Sequence, residues 1–180
     1  LSQVIKEEIP SAKVAVLSGP SHAEEVARNI PTSIVAASES PVSAQIVQDI
    51  MSTDNLRIYT SDDLIGVELG GALKNIIAIA SGFCDGLGLG DNSRAALITR
   101  GLAEMARLGV SMGAQEHTFA GLTGIGDLVV TCTSRHSRNH RFGVKVGSGT
   151  PIQQALSEVG TVEGYYAADM AHELALKYKI

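Results

Sequence analysis

The chain has 180 residues, with 14 Lys and Arg against 19 Asp and Glu and a formal net charge of −5 at pH 7. Its cations are scattered, Trp is absent and aromatic residues make up only 4%, which excludes the basic stripe and the stacking platforms of nucleic-acid binders. Two cysteines without framework spacing, Cys84 and Cys132, fit a reducing, cytoplasmic compartment rather than a disulfide scaffold.

The first sixty residues read as α/β. A helix from Leu1 to Ile9 precedes a short apolar strand, Ala12 to Leu17, which ends at the turn Ser18-Gly19-Pro20-Ser21. Helical residues from His22 to Asn29 are broken by Pro31, and Thr32 to Ala37 forms a second strand. Ser40 caps a helix that starts at Pro41 and runs to Met51, and Leu56 to Thr60 is a third strand. The alternation predicts units from the edge of a larger sheet.

From Asp62 the pattern turns helical. A long apolar helix covers about Asp63 to Asp85, followed by the turn Gly86-Leu87-Gly88-Leu89-Gly90 and a second helix, Ser93 to Gly109. Three glycines break Thr118 to Thr131 into short pieces, and further helices fall near Arg138–Val146, Ile152–Val159 and Glu163–Tyr178. The division therefore lies near Ser61, with an α/β unit over 1–61 and an all-α unit over 62–180. No run reaches transmembrane length, because Lys74, Asn75 and Asp85 interrupt the most apolar stretch. No membrane insertion is expected. The chain opens without Met, inside a helix and without a signal-like n- or h-region, so it is expected to be part of a longer one.

Lys74 is the most informative residue. Leu64, Ile65, Val67, Leu69, Leu73, Ile76, Ile77 and Ile79 leave its helix no continuous polar face. A charge placed there must be paired, neutralised or used, and a lysine so placed is a candidate proton carrier. The alternative is a stem that packs while the head reaches the surface. Asp127, after Gly124-Ile125-Gly126, either caps the next helix or faces Lys74 as its orienting carboxylate.

The Ser18–Ser21 turn sits at a strand end, where open α/β sheets bind ligands and free N–H groups suit anions; a turn capped by Ser21 explains the serine equally well. Ser134 to Arg141 holds three arginines, two histidines and small polar donors, either a phosphate cradle or a solvated basic turn. Cys132, His136 and His140 share the i, i+4, i+8 spacing of zinc ligands but lack a fourth, and neighbouring arginines repel a cation. No metal site is assigned. Gly86-x-Gly88-x-Gly90 lacks the dinucleotide spacing and follows a helix rather than a strand, and Gly124-Ile125-Gly126 fails because residue 129 is Val.

Taken together, these segments resemble the NAD(P)-dependent glycerol-3-phosphate dehydrogenases of the bacterial type. The resemblance spans essentially the whole chain. It runs through the Leu-Ser-Gly-Pro-Ser turn, Val67-Glu68-Leu69-Gly70-Gly71-Ala72-Leu73-Lys74-Asn75, Asn92 to Gly101, Thr118 to Leu128, Ser137-Arg138-Asn139 and Val162-Glu163-Gly164. It implies an α/β remnant of a Rossmann-type domain followed by a mainly α-helical substrate domain, of the 6-phosphogluconate dehydrogenase C-terminal-like kind. It implies interconversion of sn-glycerol 3-phosphate and dihydroxyacetone phosphate with NAD or NADP, supplying phospholipid synthesis.

By the same resemblance Lys74 is the proton acceptor, and Gly19, Ser21, Lys74, Asp127, Ser137, Arg138 and Asn139 are substrate positions. Ala23, Arg138 and Glu163 fall near the nicotinamide cofactor. Thr161 departs from the aliphatic residue usual at another cofactor position and is not carried over. His22 replaces an aromatic residue. The Gly-x-Gly-x-x-Gly turn that hydride transfer requires is not among these residues, so the chain by itself is not expected to turn over. The partner is a small phosphorylated substrate, and a homodimer is compatible with the sequence. The rival readings are a related helical-domain dehydrogenase acting on another hydroxy acid, and a non-catalytic helical dimerisation module.

Overall fold

The computed structural model describes residues 1–180. After α1 (Ser2–Glu8), three strands, β1 (Val16–Ser18), β2 (Thr32–Ala37) and β3 (Leu56–Ser61), form a sheet in the order β1-β2-β3. β2 and β3 are parallel and joined through α3 (Pro41–Met51), while β1 runs antiparallel to β2 with Val16 opposite Ala37. The Ser40 side chain accepts from the Ser43 N–H, as the Ser-Pro start predicts. β2 is central and carries apolar residues on both faces: Ile34 and Ala36 pack with Ile58, and Ala37 packs with Leu64 and Val67.

Three expectations in this part need correcting. β1 covers only three residues, starting at Val16 rather than Ala12, and α2 only Ala23–Val26. Ser21 does not cap α2. Its N-cap is His22, without a side-chain bond, and the Ser21 hydroxyl donates instead to the Gly19 carbonyl at 3.1 Å.

The remainder is helical. α4 (Leu64–Gly86) is the axis, and α5 (Gly90–Ser111), α7 (Asp127–Thr133), α8 (Arg138–Gly147) and α10 (Glu163–Tyr178) pack against it. α6 (Glu116–Phe119), a kinked turn over Leu122–Gly126 with non-helical backbone at Gly124, and α9 (Ile152–Val159) complete the body. Its core joins Leu73 and Ala78 of α4 to Met105, Leu108, Phe119, Leu128 and Cys132. At 23 residues and a mean hydropathy of 1.5, α4 does meet the length and composition of a membrane span, contrary to the sequence reading. α5, α7, α8 and α10 pack along it and Leu73 and Ala78 are buried in the core, while Ile65 and Phe83 remain exposed.

α4 and α8 meet at their backbones. A Cβ on Gly82 would lie 2.0 Å from the His140 carbonyl oxygen, and one on Gly143 would lie 2.0 Å from that of Ile79. Only glycine allows this approach.

Asp63 fixes the start of α4. One carboxylate oxygen caps the Gly66 N–H at 2.8 Å, and the other accepts from the Gln115 N–H at 2.9 Å and the Thr118 hydroxyl at 2.6 Å. Asp63→Ala is expected to cost about 1–3 kcal/mol, since a cap is lost and two donors from α6 and its approach lose their acceptor. Urea denaturation of the variant checks this.

Candidate active site

The site lies where the strand-end loop meets the helical body. Ser18, closing β1, packs on Gly71 of α4, one turn before Lys74. The chain then turns at Gly19, whose φ of +140° favours glycine, while an added Cβ would meet the Ile34 Cα at 3.1 Å. This directs Ser21 and His22 over the exposed end of the Lys74 side chain.

Lys74 Nζ donates to Asp127 Oδ2, joining α4 to the first residue of α7. The lysine side chain is 19% exposed and the aspartate 3%, so the carboxylate is the more deeply buried partner of the pair. Asp127 does not serve as a side-chain cap. The Thr131 hydroxyl, one turn on, lies 2.7 Å from the Asp127 carbonyl oxygen and 3.2 Å from its Oδ1. The carboxylate is thereby held from both ends.

A buried amide relay runs alongside. The Gly164 N–H donates to Asn139 Oδ1 at 2.9 Å, Asn139 Nδ2 donates to Asn75 Oδ1 at 3.0 Å, and Asn75 Nδ2 donates to the Gly71 carbonyl at 3.3 Å. Ser137 is the N-cap of α8, its hydroxyl oxygen accepting from the His140 N–H at 3.2 Å. Arg138 Nη2 lies 3.3 Å from Glu163 Oε1, an exposed pair between the first turns of α8 and α10.

These groups enclose a cavity of about 160 Å³ with a single apolar lining residue, Val130. It is well below the ~300–1,000 Å³ of drug-sized pockets and suits a small polar molecule. Gly19, Ser21, Lys74, Asp127, Ser137, Arg138, Asn139 and Glu163 all line it. Ala23 does not; it is exposed at the start of α2, beside His22. Asn75, Thr131, His22 and His136 also line the cavity and were not singled out as site residues. Thr131 was legible as the residue one helical turn after Asp127, and Asn75 as the neighbour of Lys74. The approach of His22 to His136 had no local signal.

The zinc-like spacing dissolves in three dimensions. Cys132 is fully buried in the core, where burial pushes its thiol up to about 12. His140 Nε2 lies 2.8 Å from Asp85 Oδ2, and only His136 faces the cavity.

Asp85 also receives Arg94 Nη1 at 3.0 and 2.9 Å. Burial pulls its carboxyl upward, but hydrogen bonds from His140 and Arg94 and the Arg94 charge outweigh this and hold it below the ordinary range. Its stabilisation is therefore complete above the unfolded value, about pH 4, and is lost as pH falls through the lower folded value. Asp85→Asn is expected to flatten that acid limb, measured as the urea midpoint against pH.

A lysine–carboxylate pair thus opens on a polar cavity between a small α/β sheet and a helical body. Similarities to known proteins identify the family. Residues 63–180 match the model of the NAD-dependent glycerol-3-phosphate dehydrogenase C-terminus, and residues 1–44 that of the N-terminus. The chain belongs to the NAD-dependent glycerol-3-phosphate dehydrogenase family.

It is 59% identical to glycerol-3-phosphate dehydrogenase [NAD(P)+] of Desulfitobacterium hafniense, over 100% of this chain and 51% of that protein. Identity to the Clostridium perfringens enzyme of the same name is 60%, over 98% of this chain and 54% of that one. The crystal structure of glycerol-3-phosphate dehydrogenase from Coxiella burnetii superposes with a TM-score of 0.97 at 47% identity, covering 99% of this chain and 55% of its own. The chain thus spans about half the length of the curated relatives it matches.

Proposed function

We propose that this chain provides the substrate-binding and proton-transfer part of an NAD(P)-dependent interconversion of sn-glycerol 3-phosphate and dihydroxyacetone phosphate, which supplies phospholipid synthesis in the cytoplasm. Residues 62–180 act as the substrate domain and residues 1–61 as the adjoining part of the nucleotide-binding domain. The observation that carries this reading is the Lys74–Asp127 pair opening on a small polar cavity that Arg138, Ser137 and Asn139 also line.

When bound, NAD(P)H would supply the hydride for the C2 carbonyl, and NAD(P)+ would take it back in the reverse direction. The Lys74 ammonium stabilises the alkoxide that develops at C2 oxygen and gives it a proton. In the reverse direction the neutral amine takes the hydroxyl proton. Asp127 orients the ammonium and compensates its charge. Arg138, with the start of α8 and Asn139, anchors the phosphate, so that binding energy from a part that does not react sets the position of C2. The exposed Arg138–Glu163 pair at the cavity fits the polar carboxamide end of a nicotinamide, while Ala23, at the start of α2 outside the cavity, is kept as a cofactor position by the family resemblance alone.

The test is dihydroxyacetone phosphate reduction by the protein carrying this chain with a complete nucleotide-binding domain. Arg138→Ala is expected to raise KM for the phosphorylated substrate by about 10- to 100-fold, from one lost charge-assisted contact. KM for unphosphorylated dihydroxyacetone is expected to stay nearly unchanged. Equal effects on both substrates overturn the phosphate assignment, and absence of any turnover overturns the reading.

A further inference from the structure

His22 and His136 belong to different parts of the chain, the loop before α2 and the loop between α7 and α8, yet their ring centroids are 5.7 Å apart with the planes tilted by 54°. Both line the cavity. His22 Nε2 is buried without a hydrogen-bond partner in the protein, a standing cost for a polar atom that a ligand can remove. The nearest carboxylate to His136 Nδ1 is Glu24 Oε1, at 3.9 Å, too far for a hydrogen bond.

Most other charges of the cavity are spoken for. Asp127 is engaged by Lys74, and Glu163 by Arg138. What remains available are the two imidazoles, each of which can donate through a ring N–H, and the Arg138 and Asn139 N–H groups at the start of α8, which have no intrahelical acceptor. Such a set is complementary to several oxygens carrying negative charge.

We propose that His22 and His136 form a second wall of the phosphoryl subsite, binding the phosphate monoester end of the substrate together with Arg138 and the start of α8. The assignment rests on the phosphorylated substrate proposed above and extends its recognition from the helical body to the strand-end loop. The phosphate then bridges the two parts of the chain.

Imidazole proton signals of the same protein, titrated with inorganic phosphate, test this directly. Assignment uses His22→Phe and His136→Gln. The signals of His22 and His136 are expected to shift together along one saturating curve, while that of His172, exposed on α10, stays in place. In kinetics, His22→Phe keeps the ring and removes its nitrogens, and His136→Ala removes the second ring. Each is expected to raise KM for the phosphorylated substrate by about tenfold, with kcat falling far less, and His136→Gln should recover part of the loss.

Phosphate that leaves both signals unmoved overturns the proposal. So do shifts produced by nicotinamide nucleotide but not by phosphate, or an unchanged KM in both variants. Should Lys74 variants lose turnover while these variants keep their KM, the subsite fails and the dehydrogenase reading stands. Full turnover in a Lys74 variant sinks the latter on its own.

Discussion

Lys74→Ala is expected to lower kcat for dihydroxyacetone phosphate reduction by about 10²–10⁴-fold, the usual worth of a positioned proton carrier. No other ammonium lines the cavity, and the remaining cation there, Arg138, does not release a proton near neutral pH. KM should change little, because the phosphate is held by other groups. The alanine variant also strands Asp127, whose side chain is only 3% exposed, as an uncompensated carboxylate. A loss of rate could then reflect a loosened α7. Lys74→Arg separates the two, since it keeps a cation beside Asp127 and removes only the ability to exchange a proton. A thermal midpoint near wild type together with a kcat as low as that of the alanine variant identifies proton transfer. Pre-steady-state measurement of one turnover ensures that product release does not mask the effect. An arginine variant retaining rates within about threefold of wild type would falsify the role.

Gly143→Ala is expected to be among the most damaging single methyl additions in the fold. The added Cβ would sit 2.0 Å from the Ile79 carbonyl oxygen, with the Phe83 N at 2.8 Å and the Gly82 carbonyl carbon at 3.0 Å. All three are backbone atoms of α4, so no side chain can swing away and the helices must separate. Overpacking of this kind costs about 1–3 kcal/mol and more where the neighbour is rigid. α8 carries Arg138 and Asn139 in its first turn, so separation moves the anchoring residues away from Lys74. The variant should show a lower urea midpoint and a raised KM for phosphorylated substrate at temperatures where it is still folded. Gly149→Ala, in open space although at positive φ, is the control and should cost far less.

Local chemistry made the helices readable. The capping serine and Pro41 set α3, Asp63 set the start of α4, and the starts of α8, α9 and α10 follow polar or proline signals at Ser137, Pro151 and Glu163. Lys74 stood out because burial and charge conflict within one helix, and Asp127 because a carboxylate follows two glycines. Three features were decided elsewhere. The direction of β1 depends on pairing with β2, some twenty residues away, and its apolar pattern is the same either way. The kink at Leu122–Gly126 depends on Gly124, where a Cβ would lie 1.9 Å from the Phe119 carbonyl oxygen. The contact between His22 and His136 joins residues more than a hundred positions apart, and no periodicity encodes it.

The amide relay through Asn75 and Asn139 gives the cavity an unusual economy of adjustment. Each link is the chain neighbour of a proposed functional group: Asn75 follows Lys74, Asn139 follows Arg138, and Gly164 follows Glu163. Three helices thus share one mechanical reference, and a shift at any link is passed to the other two. Divergence in substrate preference cannot proceed by retuning the floor of the site one residue at a time. It has to work through the strand-end loop at Ser21 and His22, the side of the cavity that the relay does not hold.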